Sequence, residues 1–139
     1  MRVKFGFAML QISLFGAFFA TCAGVLTPSV AGIVSSAKEA RLAVDLQTMR
    51  SQLELYKIHH SGQLPAATDS AAFKAALMAR GQDGRGPYLQ KIPANPFNGN
   101  SNIRFEFGPS TAGSNRAGWV LNISTGLLAP DDSMPHAGL

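Results

Sequence analysis

The side chains able to do chemistry are few and scattered. There are three histidines, His59, His60 and His136. His59 and His60 are neighbours, and adjacent residues on a helix project about 100° apart, so the pair cannot grip one ion together. His136 lies far along the chain. The single cysteine, Cys22, has no second thiol to pair with, and it reads as a small apolar residue inside an apolar run. Asp131-Asp132 reads as a solvated acidic pair rather than a catalytic one. The segment Gly81-Gln82-Asp83-Gly84-Arg85-Gly86 is rich in glycine, yet no strand precedes it and no Lys-Ser/Thr follows, so it is not a phosphate-binding loop. No constellation of nucleophile, base and electrophile emerges, and no metal-ligand spacing. An enzyme is not expected.

The elements that carry these residues are more informative. A chain of 139 residues accommodates one domain. No charged residue occurs from Phe5 to Ala37, and every acidic residue lies at Glu39 or beyond. The formal charge is +4, but the basic residues form no block and no aromatics interleave them, so nucleic acid is not an expected partner.

Phe7 to Leu26 is almost entirely apolar or small. As a helix it measures about 30 Å, the thickness of a bilayer's hydrocarbon core. Arg2 and Lys4 precede it, which places the N-terminus in the cytoplasm and exports the remainder. Three processing routes compete. A secretory signal would be cleaved, but its apolar region usually spans only about 7–15 residues. A lipoprotein would be acylated on Cys22, after the poor lead-in Phe19-Ala20-Thr21. The third route removes a short basic leader ending in glycine and keeps the apolar segment. Pro28 then withdraws a backbone donor and bends or melts the helix nearby, with Gly24 adding looseness.

From Ala31 to about His60 the periodicity stays helical. Leu42, Leu46, Met49, Leu53 and Tyr56 recur at steps of four and three and share one face. Arg50 and Glu54, and Glu54 and Lys57, stand where each pair can meet. Such a stripe needs a small domain to cover it. Thr68 or Asp69 caps a short helix from Ser70 to about Arg80, stopped by Gly81. The prolines between Gly86 and Gly99 impose an extended path, which Tyr88, Leu89, Ile92 and Phe97 staple onto the long helix. Ile103–Phe107 alternates as a half-buried strand, and Gly118–Ile123 pairs with Leu127–Ala129 across Ser124-Thr125-Gly126. The loop 110–117 connects them in a small antiparallel sheet over about 102–129. The tail from Asp131 frays.

Three stretches together carry a family resemblance. Gly6-Phe7-Ala8-Met9-Leu10-Gln11 resembles the Gly-Phe-Thr-Leu-Ile-Glu start of type IV pilins and type II secretion pseudopilins. The run from Asp45 to His60, with Pro65 soon after, is similar to the pseudopilin pattern Leu-x-x-Ala-Leu-Glu-Leu-Tyr-x-x-x-x-Gly-x-x-Pro. Gly86 to Gly99 is similar to Gly-x-Tyr-Leu-x-x-Leu-Pro-x-Asp-Pro-Trp-Gly of the major, G-type pseudopilins.

The resemblance implies an α+β, pilin-like fold, in which a long N-terminal helix packs on a small antiparallel sheet. Residues 1–6 would be the leader, 7–28 the membrane and assembly half of the helix, and 29–139 the periplasmic domain. Prepilin peptidase would cut between Gly6 and Phe7, and the new amine of Phe7 would be methylated. Gln11 stands where pilins offer a glutamate to a neighbour's amine; it can accept a hydrogen bond but cannot neutralise the charge. Pro28 falls where pilins carry a helix-bending proline. The partners implied are copies of the same chain, minor pseudopilins, prepilin peptidase, an inner-membrane assembly platform and membrane lipid. The product would be an inner-membrane-anchored, non-enzymatic filament subunit for protein export. Major pseudopilins also bind calcium beside the sheet. Oxygen-bearing residues occur here at Asn98, Asn100, Asn115, Ser124, Asp131 and Asp132, a set poor in carboxylates, so no ligand and no cofactor is assigned. The alternative is a membrane-tethered or lipidated periplasmic binding protein that never polymerises.

Overall fold

In the computed structural model, residues 27–66 and 69–139 are described, with backbone alone for residues 27–29. The chain divides into two units, Met1–Ala37 and Lys38–Leu139. Helix α1 runs Thr27–His59. In the first unit its described residues Val30, Ile33 and Val34 are exposed, and Pro28 sits within the first described turn. The expected membrane span, residues 7–26, lies outside the described residues. Among the described residues, no helix is long and apolar enough to cross a membrane.

In the second unit, Leu42, Leu46, Met49 and Leu53 are all buried. Their spacing forms one narrow stripe, and Tyr56, half-buried, packs against the core at its end. Lys57 and His59 in the last turn suit the negative end of the helix dipole. The helix closes with Ser61 and Gly62 at positive φ, and the Gly62 N–H donates to the Lys57 carbonyl at 2.7 Å, a C-terminal stop that satisfies an otherwise orphaned carbonyl.

Helix α2 spans Ser70–Met78, capped by Asp69, whose carboxylate accepts from the Ala72 N–H at 2.7 Å. It buries Phe73 and Leu77. The expected stop at Gly81 is corrected: Ala79 is already extended. The reason is the returning chain, whose Tyr88 and Leu89 N–H groups both donate to the Leu77 carbonyl, at 2.8 and 3.1 Å. Tyr88, Leu89 and Ile92 then enter the core beside the α1 stripe.

The sheet has three strands: β1 (Ile103–Glu106), β2 (Trp119–Asn122) and β3 (Leu128–Pro130), in the order β1-β2-β3. β2 and β3 are antiparallel, as the Ser124-Thr125-Gly126 turn requires. β1 and β2 are parallel, with Ile103 opposite Trp119 and Phe105 opposite Leu121. The fully antiparallel sheet expected from the sequence is therefore corrected to a mixed one. The cause is residues 107–118, a connection far longer than a hairpin turn. Parallel neighbours need such a crossover of roughly a dozen residues.

Strand β2 is buried along its whole length. Trp119 and Leu121 join the core under α1 and α2, whereas Val120 packs on the opposite face with Ala112 and Ala129. This two-sided burial accounts for the continuous apolar run Trp119-Val120-Leu121. Arg50 ties α1 to the outer edge of the sheet, donating through Nε and Nη2 to the Leu128 carbonyl at 2.9 and 2.7 Å. That contact corrects the expected pairing of Arg50 with Glu54; Glu54 pairs with Lys57, at 2.8 Å.

Gly118 marks the tightest backbone approach. A Cβ there would lie 1.8 Å from the Asn100 carbonyl oxygen, whereas one on Gly108 would meet nothing within 4 Å. Gly118→Ala should therefore cost about 3 kcal/mol or more, and Gly108→Ala less than about 0.5 kcal/mol. Urea denaturation midpoints of the two variants check this.

Candidate functional site

The sequence-level candidates separate in space. Gly6, Phe7, Gln11 and Cys22 lie outside the described residues. His59 and His60 diverge as their adjacency dictates. His59 Nδ1 meets the Tyr88 hydroxyl at 3.0 Å, while the His60 ring stacks on Tyr56 with centroids 3.8 Å apart and Nδ1 on the Tyr56 carbonyl. A cavity of about 180 Å³ opens beside them, lined in part by Tyr56, His60, Asp83, Arg85 and Tyr88.

The tail from Asp131 does not fray; it folds back on the sheet. Asp132, Ser133 and His136 come together there and contain the residue types of a hydrolase triad. The geometry is wrong for one. Both the Ser133 hydroxyl and the Asp132 carboxylate contact the same ring nitrogen, Nδ1 of His136. A proton relay needs the acid on one imidazole nitrogen and the nucleophile on the other. Asp132 instead holds the tail in place, accepting from Asn95 Nδ2 at 2.7 Å. Burial works against its charge, but His136, Asn95 and Ser133 outweigh that and hold its carboxyl below the ordinary carboxylate range.

The densest polar cluster is centred on Asp131, which is fully buried, so the solvated reading of Asp131-Asp132 is corrected: both carboxylates are held by hydrogen-bond donors. Its two oxygens accept from the backbone N–H groups of Ser114, Arg116 and Ala117 at 3.0–3.1 Å and from the Ser114 hydroxyl. Arg104 reaches it from β1, Nη2 lying 2.9 Å from Oδ1. Arg104 and Glu106 alternate with Ile103 and Phe105 along the strand, so both project away from the helices. Nη1 of Arg104 also contacts Glu106 Oε2 at 3.2 Å. Burial raises the Asp131 pKa, yet Arg104, Ser114 and the backbone donors more than compensate, and the carboxyl sits below its ordinary range. Glu106 is lowered in the same way, by Thr111, Ser110 and Arg104 against its burial. The Arg104 guanidinium is raised, first by its hydrogen bond to Asp131.

The neighbouring asparagines are committed to the backbone. The amide oxygens of Asn95, Asn98 and Asn100 each accept an N–H two residues on, from Phe97, Asn100 and Asn102, the local turn that asparagine favours. The oxygen of Asn115 accepts from Asn98 Nδ2, and the Ser124 hydroxyl donates to the Phe107 carbonyl at the far end of the hairpin. These residues do not fit a calcium ion. Three backbone N–H dipoles and a guanidinium already face Asp131, and the other oxygens point elsewhere. Among the described residues no group of three or more His, Cys, Asp and Glu could hold a metal ion.

Arg104, Glu106, Thr111 and Ser114 were not legible as a group from sequence. The available signal was the pair of opposite charges at alternate positions of β1, both on the face turned from the core. No family model matches the chain, and neither curated proteins nor solved structures yield a match.

Three carboxylates, Glu106, Asp131 and Asp132, have folded-state pKa values below their unfolded ones. Their stabilising effect is complete above the unfolded value, about 4, and drains as the pH falls through it towards the folded values. The melting temperature should hold level from pH 7 to 5 and drop steeply below about 4. Asp131→Asn, which sets an NH2 against one or two of the N–H donors and removes the charge facing Arg104, should cost about 3–5 kcal/mol at pH 7 and flatten that acid limb. Thermal melts across pH 3–7 measure both.

Proposed function

We propose that this chain is a pilin-like filament subunit of the type II secretion pseudopilin kind, anchored and assembled through its N-terminal segment. The observation that carries the reading is the second face of α1. Val44, Thr48, Ser51, Leu55 and Ile58 repeat at steps of four and three, as the core stripe does, but on the opposite side. Val44 and Ile58 are 64% and 74% exposed, although the domain already covers the facing side. Three exposed apolar residues, Val44, Leu55 and Ile58, with the small Thr48 and Ser51 between them, give the helix a face on which a subunit could pack against further copies. The uncharged run from Phe5 to Ala37, the basic start and the Gly6-Phe7 junction support the same reading.

In this scheme cleavage after Gly6 frees the amine of Phe7. The apolar helices bundle in the filament, and Pro28 lets each one bend as it leaves the membrane. Gln11 offers a neighbour's amine a hydrogen bond without charge neutralisation, so the contact is weaker than one with a carboxylate. The sheet and its loops face outwards. The filament grows from an inner-membrane platform and pushes cargo outward.

The competing reading is a tethered binding protein, and the cavity beside Tyr56 and His60 favours it. The mature N-terminus separates the two. Mass spectrometry should find a methylated Phe7; a start at Cys22 or later refutes the filament. Gly6→Ala should leave the leader attached and abolish assembly. Val44→Lys with Ile58→Lys should leave the folded domain within about 0.5 kcal/mol of the parent, yet lower filament yield at least ~10-fold, the effect of about 1.4 kcal/mol at an interface. Sheared-filament blots read that yield.

A further inference from the structure

The acceptors around Arg104 form an unusual set. Its guanidinium contacts Asp131 Oδ1 at 2.9 Å and Oδ2 at 3.4 Å, Glu106 Oε2 at 3.2 Å, Thr111 Oγ1 at 3.0 Å, the Thr111 carbonyl at 3.2 Å and Ser114 Oγ at 3.3 Å. Two carboxylates, one backbone carbonyl and two hydroxyls surround one positive charge. Oxygen donors of these kinds are what a hard divalent cation gathers. Here they converge on a side chain that is itself only 20% exposed.

The position explains the need. Glu106 ends β1, Thr111 and Ser114 lie in the crossover, and Asp131 follows β3. The crossover contributes little to the core: Ala112 and Ala117 are its buried apolar residues. Apolar burial of two alanines is too small to offset the entropy of ordering the loop. A central cation with several oxygen contacts can do so, and a guanidinium with five fixed donors suits the task.

We propose that Arg104 is the resident cation of an oxygen cage that orders the crossover 107–118, so that this loop is built to be independent of any metal ion. Two features argue against a shared role with a divalent ion. The N–H groups of Ser114, Arg116 and Ala117 present positive dipoles to Asp131, and the guanidinium blocks the approach between Asp131 and Glu106. Glu106 Oε1, buried and without a hydrogen-bond partner among the described residues, is the one cage oxygen left over. A single side oxygen is too few for an ion that takes six to eight ligands.

The test uses the full chain in detergent. For the parent protein, excess EDTA and millimolar calcium should each move the melting temperature by less than about 1 °C. An ion held at a hundred times its Kd would have raised it by roughly 10 °C, so a shift of that size with either reagent overturns the proposal. Arg104→Ala should lower the melting temperature by more than about 10 °C and speed amide exchange at Ser114, Arg116 and Ala117. Methylguanidinium at tens of millimolar should restore both in the variant while leaving the parent unchanged. Exchange at those amides that ignores the substitution, or a loosened loop that methylguanidinium does not restore, sinks the idea. Arg104→Lys keeps the charge without the planar fork, and it should fall between the two. Equivalence of the lysine and alanine variants would also count against the cage.

Discussion

One buried carboxylate anchors the crossover that the sheet's topology requires. β1 and β2 run parallel, which obliges residues 107–118 to cross from one end of the sheet to the other. That crossover is rich in glycine and serine and cannot hold itself in place by apolar burial. Asp131 receives its N–H groups, and Arg104 locks Asp131 to β1. A charge sealed from water is costly unless surrounded by donors, so the loop and the carboxylate require each other.

The long helix then has two distinct tasks. Its Leu42–Leu53 stripe supplies one wall of the core, and Arg50 clips the opposite edge of the sheet by donating to the Leu128 carbonyl. An unpaired strand edge invites association with other strands, and this contact removes part of that invitation. The face turned from the domain remains apolar at Val44 and Ile58. The β3 edge is thus partly occupied, while this helix face stays exposed.

Several residues of types used in catalysis are engaged in contacts within the fold. Ser133, His136 and Asp132 share one imidazole nitrogen and fasten the tail. His60 stacks on Tyr56. Among the described residues, most of the polar groups that looked available are engaged with a backbone, carboxylate or hydroxyl partner, as burial demands.

The helix stripe was legible because a period of 3.6 with alternating steps of four and three is a local property. The same holds for a cap at Thr68 or Asp69, for the β2–β3 hairpin and for the uncharged run before Lys38. The sheet's mixed direction, the early end of α2 and the redirection of Arg50 were not legible, since each depends on a segment distant in sequence. Leu77's carbonyl is claimed by residues 88 and 89, and Arg50's guanidinium by a carbonyl of β3. The Arg104 cage gathers residues from both strands and the crossover between them. Spacing along a chain records which side chains share a face. Only the fold brings a charge to its partner, because that choice is made by desolvation and hydrogen bonding between segments that the chain order does not relate.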